Sequence, residues 1–356
     1  MIGERIKQRR IALGLSLEDL AARTGNYISK QAIHKYEQGT STPGSDVLIK
    51  LAETLGVKIE FFFRPQEQEV ELSNPAYRKR VSASAKDLKA LRAKTRETLE
   101  RYLFVESLFP SERFQRFVAP NEETCKIRKI EDAEKLSLAL RVRWKLGIDP
   151  IENVLEIFED RGVKVMLVDG EEDFDGLSCW ANEKIPVVVV KNGLSGDRER
   201  FNLAHELGHL LMKVSKNVDE EKAAHRFAAS FLVPEEAARR ELGEHRSRID
   251  LLELAMLKEK YGMSMQAWIY RAQDLGIITG SCATILFKTF RSRGWSLQEP
   301  KDVVPREEPK QFHRLILQAV SEELLSPARA AELLGRPLNE FRKQMGAEVV
   351  GRETGS

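Results

Sequence analysis

Apolar residues recur at helical spacing from the start of the chain. Ile6, Leu13, Leu17 and Leu20, then Ile33, then Leu48, Leu51 and Leu55 mark four or five short helices within residues 2–57. The punctuation agrees with that period. Ser16, with Asp19 three positions on, reads as a capping-box start, Ser29 as the cap of a third helix, and Gly39 as its stop before the turn Thr40-Ser41-Thr42-Pro43-Gly44. The polar stretch from Gln66 to Pro75 suits a linker and puts a boundary near Pro65. Residues 84–109 return to helical spacing at Leu88, Leu91, Leu99, Leu103 and Phe104, with many basic residues between Arg78 and Arg101. They read as a connector helix with either a solvated or a phosphate-contacting basic face. Two further helices are expected over 131–147 and 151–161, and β-branched runs at 163–168, 177–181 and 186–190 predict three strands. Helical patterning resumes over 197–275, and a helix pair is expected around 312–323 and 329–334.

The pattern therefore predicts a multidomain chain, mainly α with a small α+β part. An N-terminal all-α domain occupies 1–65, a linker and basic connector helix 66–120, an α+β domain with a small β-sheet 121–278, and a helical C-terminal region of unassigned role 279–356. A length of 356 residues fits two or three such domains.

Composition narrows the function classes. The chain is 42% hydrophobic and 31% charged, and no apolar run approaches the roughly 18 residues of a membrane span. The charged N-terminus lacks the apolar stretch of a secretory signal. Cys125, Cys179 and Cys282 are far apart with no CxxC, which argues against a disulfide framework or thiolate zinc site. A cytoplasmic protein without membrane contact is expected. The net charge of +2 means that affinity for nucleic acid must come from local patches.

One such patch lies in the N-terminal helices. The run Leu17 to Gly25, a turn, and the run Ser29 to Gly39 form a helix, a break and a second helix. Ser29, Lys30, Gln31, His34 and Lys35 fall on the exposed N-terminal part of the second helix, where a major-groove reader needs polar side chains. Gln31 suits adenine, Lys30 and Lys35 suit guanine or phosphate, while Ile33 and Tyr36 anchor the helix. These residues, with Tyr36-Glu37-Gln38-Gly39 and Pro43, resemble the XRE-type (Cro/repressor-like) helix-turn-helix family over about residues 1–57. The turn Asn26-Tyr27-Ile28 is slightly longer than usual there. The resemblance implies a double-stranded DNA operator as partner and a homodimer.

The sharpest chemical signal is His205-Glu206-Leu207-Gly208-His209 within a helical run. Imidazoles at i and i+4 share one helix face and can bind one zinc ion, with Glu206 placed to act on water as general acid/base. A catalytic zinc needs a third protein ligand and an open position. Asp219, Glu220, Glu221 and His225 are candidates, in a second helical run that begins about twelve residues after His209.

The run Glu221 to Pro234 resembles the second conserved helix of the ImmA/IrrE metallopeptidase family. The resemblance extends over about residues 125–275, including Phe174 to Ser178, Ile185 to Val190 and Ser264 to Ala272. It implies a zincin-like α+β fold, a His205–His209–Glu221 zinc site with catalytic Glu206, and cleavage of a protein substrate such as a helix-turn-helix repressor. His225 stands where the family pattern has Asn, and could orient Glu221. Tyr270 and Arg271 are candidate oxyanion donors, Trp180 and Trp268 core or pocket walls. Residues 186–190 are either an edge strand that receives substrate as an added strand or a buried core strand. A competing reading keeps the DNA-binding domain but makes the peptidase fold a non-cleaving metal or ligand sensor.

Overall fold

The computed structural model describes residues 2–63, 70–73, 85–169, 174–296, 299–300 and 304–350. Most of the expected linker lies outside the described residues. The described residues form two compact units, one from residues 2–63, 70–72, 85–113 and 310–350, the other from those between 114 and 309 together with Ser73. Seventeen α-helices and a small mixed sheet appear among the described residues, as the hydrophobic pattern predicts. No helix among them is long and apolar enough to cross a membrane.

In the first unit, α1 (Ile2–Ala12), α2 (Leu17–Arg23), α3 (Lys30–Glu37) and α4 (Ser45–Leu55) enclose Ile6, Leu20, Ile33 and Leu51, all fully buried. Local chemistry sets the element ends. Ser16 and Asp19 exchange both capping-box bonds, at 3.0 and 2.8 Å, and Ser29 Oγ accepts from the Ala32 amide at 3.2 Å. The connector helix α5 (Ala85–Ser107) packs on α1, where Arg9 forks onto both oxygens of Glu97 at 3.0 Å. Another neighbour is α15 (Gln311–Ser321), with Tyr102 stacked on Phe312 at 5.1 Å. Short helices α16 (Pro327–Leu333) and α17 (Leu338–Val350) follow. Among the described residues the expected C-terminal region is thus divided: 310–350 belong to this unit, and those between 279 and 309, with α14 (Gly280–Ser292), to the other.

The second unit begins with the single turn α6 (Glu122–Cys125), then α7 (Asp132–Trp144) and α8 (Val154–Asp160). Three strands follow: β1 (Lys164–Val168), β2 (Gly176–Ala181) and β3 (Ile185–Lys191). β2 and β3 form a hairpin whose turn residues Asn182 and Glu183 have φ of 48° and 61°, the left-handed pair a type I′ turn requires.

β3 decides between the two readings of residues 186–190. It pairs parallel with β1 through Lys164↔Val187 and antiparallel with β2 through Gly176↔Val190, so it is an interior strand with no free edge to offer a substrate. Val187 to Val190 are all fully buried. A continuous apolar run signals burial on both faces, which is the position of a central strand.

Helices α9 (Gly196–Leu211) and α10 (Glu220–Leu232) complete the centre of this unit, with α9 packed against β2, β3 and α10. Around them lie α11 (Glu235–Leu242), α12 (Leu251–Tyr261) and α13 (Met265–Asp274).

Candidate metal centre

α9 is buried on most of its circumference, including Leu203, Ala204, Leu207 and Leu210, so its register against the sheet and α10 is fixed by packing. At Gly208 a Cβ would lie 2.8 Å from Phe227 Cδ1 of α10. The missing side chain lets the two helices approach at the level of His205 and His209. Asp219 caps α10 by accepting from the Lys222 amide at 3.1 Å, which turns Glu220 and Glu221 back toward α9.

Three ligand atoms converge as a result. The Nε2 atoms of His205 and His209 are 3.1 Å apart, and Glu221 Oε2 lies 3.4 Å from the first and 3.8 Å from the second. A tetrahedral zinc with bonds of about 2.0–2.1 Å has ligand–ligand edges of roughly 3.3 Å. The donor set of two neutral imidazoles and a carboxylate is also one that zinc accepts, so His205, His209 and Glu221 could hold it. The other candidates take different places. Asp219 serves the helix cap, and Glu220 Oε1 stands 3.4 Å from the opposite ring nitrogen of His209, where a carboxylate orients a ligating imidazole.

Glu206 is 5% exposed, and Ser178 Oγ donates to its Oε2 at 2.9 Å from strand β2. A Cβ at Gly176 would meet Glu206 Cγ at 3.0 Å, so the strand runs directly against this carboxylate. Gly176 and Ser178 are functional neighbours that the residue pattern alone leaves unmarked. Only the flanking resemblance over 174–178 points to them.

His225 is exposed, with its ring 4.7 Å from that of His205 and its Nδ1 2.8 Å from the Glu221 carbonyl oxygen. A carbonyl only accepts, so Nδ1 carries the proton, and the bond ties His225 to the backbone of the carboxylate's own residue. Tyr270 is 58% exposed and leans on Phe287 at 4.6 Å. Arg271 is fully buried. Its guanidinium forks onto Glu134 and donates to the Val233 carbonyl oxygen at 3.0 Å, a bridge between α7, α10 and α13. Those commitments tie Arg271, one of the two candidate oxyanion donors, into the core. Trp268 is likewise a fully buried core residue, edge-on to Tyr261 at 5.2 Å.

In the first unit, Ser29, Lys30, Gln31, His34 and Lys35 are all exposed on α3. Ser29 is occupied as the cap, and Lys30 makes a solvated 3.1 Å pair with Glu18. Tyr27, in the turn before α3, is 61% exposed.

Comparison with known proteins supports both kinds of domain. Residues 6–62 match the helix-turn-helix family model, and residues 158–273 match that of the IrrE N-terminal-like domain, peptidase family M78. Curated relatives include an uncharacterized transcriptional regulator in the ATPase CF(0) region of Rhodospirillum rubrum, 42% identical over 67 residues. Another is an uncharacterized HTH-type transcriptional regulator of Sinorhizobium medicae, 42% identical over 62 residues. These alignments cover 19% and 17% of this chain and 60% and 43% of the relatives. The chain therefore joins an XRE-type helix-turn-helix segment to an IrrE N-terminal-like, M78 peptidase domain in one polypeptide.

Proposed function

We propose that this protein is a DNA-binding transcriptional regulator carrying a zinc-dependent endopeptidase that cleaves a protein, such as a repressor or other regulatory protein, in the cytoplasm. The observation that carries the catalytic half is the convergence of His205 Nε2, His209 Nε2 and Glu221 Oε2 with Glu206 one position from the first ligand. Bound there, zinc supplies Lewis-acid polarisation of the scissile carbonyl and acidifies water. Glu206 takes the proton of the attacking water on its carboxylate and passes it to the leaving amine nitrogen. Ser178, donating to Oε2, holds that carboxylate in place. Glu220 orients His209 from Nδ1, and His225 braces Glu221 through its carbonyl. The exposed face of α3 supports the DNA-binding half, with Gln31, His34 and Lys35 presented to base edges and phosphates of an operator and Ser29 and Lys30 at its start. Resemblance to XRE-type regulators supports a homodimer on paired half-sites.

The test uses the purified full chain. Wild type should carry about one zinc and generate new N-termini in a proteome extract. Glu206→Gln should keep the zinc and lose the cleavage, and Glu221→Ala should lose both. Gln31→Ala should weaken operator binding about ten-fold with zinc unchanged. Cleavage retained by Glu206→Gln would refute its role, and zinc without any cleavage in wild type would favour the sensor.

A further inference from the structure

We propose that the first unit holds a binding site for a small amphiphilic dianion, an apolar body carrying a phosphate or a pair of carboxylates, and that the C-terminal helices complete it. The site is separate from the metal centre and does not rest on it. A pocket of about 420 Å³, within the range of small-ligand sites, lies wholly in this unit. Four stretches build its wall: α1, residues 56–61 after α4, α5, and α16 with the turn 335–337 that follows it. Residues of the helix-turn-helix segment and of the C-terminal region thus face one cavity, although they come from opposite ends of the chain.

Six basic side chains line the pocket against three carboxylates. The carboxylates are committed, Glu97 to Arg9 at 3.0 Å, Glu100 to Arg5 at 3.7 Å and Glu332 to Arg329 at 3.0 Å. Three cations, from three of the four stretches, have no carboxylate of their own. Arg101 reaches Glu97, already forked by Arg9, only at 3.5 Å, and otherwise donates to the carbonyl oxygens of Glu97 and Leu333 at 3.3 Å. Arg336 donates to the neutral side-chain carbonyl of Gln344 at 2.8 Å. Lys58 makes no ion pair or hydrogen bond among the described residues. A cavity with surplus cations concentrates anions, and its guanidinium groups gain charge-assisted bonds from phosphate or carboxylate oxygens. Apolar wall stands beside the charges. Arg5 lies 5.4 Å over the ring of Phe61 and Arg329 5.3 Å over that of Phe104, with Val57, Leu333 and Pro337 nearby in the lining. An apolar body attached to the anionic head would gain burial there, which a bare inorganic ion would not.

Titration calorimetry on the full chain, in a phosphate-free buffer of low ionic strength, tests the site with phenyl phosphate, phenylmalonate and inorganic phosphate. At least one of the two aryl dianions should bind about ten-fold or more tighter than inorganic phosphate. The tighter of the two identifies the head group as phosphate or dicarboxylate. Lys58→Ala and Arg336→Ala, both at exposed positions, should each weaken that ligand about ten-fold with the melting profile unchanged. Lys35→Ala, on α3, should leave its affinity as in wild type. Equal affinity for inorganic phosphate and both aryl compounds would reduce the pocket to a patch of surface charge and overturn the proposal. Absence of binding at about 10 mM would overturn it as well. So would a loss of operator affinity in Lys58→Ala and Arg336→Ala with aryl-dianion binding unchanged, since these cations would then serve DNA phosphates.

Discussion

Arg271 shows how much a single residue's environment decides. In the sequence it is a cation near the end of the peptidase resemblance, available for an oxyanion. In the fold it is a fully buried strut on Glu134, which also accepts from Arg226 at 2.7 Å. Burial alone would push the Glu134 carboxyl up, but the bonds and charges of Arg271 and Arg226 outweigh it and hold the group below its ordinary value of 4.5. A carboxylate with a depressed folded value stabilises the protein above the unfolded value. That stability disappears as pH falls through the folded one. Glu134→Gln should therefore destabilise the second unit by about 3–5 kcal/mol at neutral pH, since Arg271 is left buried and unpaired. It should also flatten the decline in stability below pH 4.5. Denaturant titrations at pH 7 and across pH 3–5, ranges chosen to bracket that carboxylate, read both effects. An unchanged acid slope would mean that Glu134 is not the titrating strut.

Between elements, the decisive feature is the approach of α9 to α10. Replacing glycine with alanine in an exposed helix stabilises it by roughly 0.5–1 kcal/mol. At Gly208 the added methyl would meet Phe227 at 2.8 Å, and overpacking of that kind costs about 1–3 kcal/mol. The cost wins, and the helices must part where His205, His209 and Glu221 meet. Gly208→Ala should retain the fold by circular dichroism while weakening zinc affinity by on the order of ten-fold in a competition titration with a chromophoric chelator. Wild-type affinity in that variant would mean that the ligand triangle tolerates the separation. The same logic explains β3, whose valines are consumed by pairing and packing on every side and so cannot bind a substrate strand.

In the whole molecule, each unit encloses its own apolar core. One is centred on Ile6, Leu20, Ile33 and Leu51, the other on the helices and strands around Leu203, Leu207 and Phe227. The ligands of the metal centre all lie in the second unit. A ligand that binds only the folded state raises stability by about 4 kcal/mol at a thousand times its dissociation constant. For a unit of this size that is about ten degrees in melting temperature. Scanning calorimetry should therefore show two transitions, of which chelation lowers one by about that amount and leaves the other in place. A uniform shift, or none, would contradict zinc binding confined to the second unit.

The local patterns carried much of this. Helix caps at Ser16 and Ser29, the spacing of His205, Glu206 and His209 on one helical face, and the β-branched strands are properties of neighbouring residues, because 3.6- and 2-residue periods and capping bonds act within a few positions. Proposing Glu221 as third ligand required family resemblance, since a spacing of about a dozen residues leaves Asp219, Glu220 and His225 equally reachable. The interior place of β3, the burial of Arg271 and the bond from Ser178 to Glu206 arise from contacts between residues far apart in the chain. Such contacts depend on how packed elements share volume and pair charges, which no local period encodes.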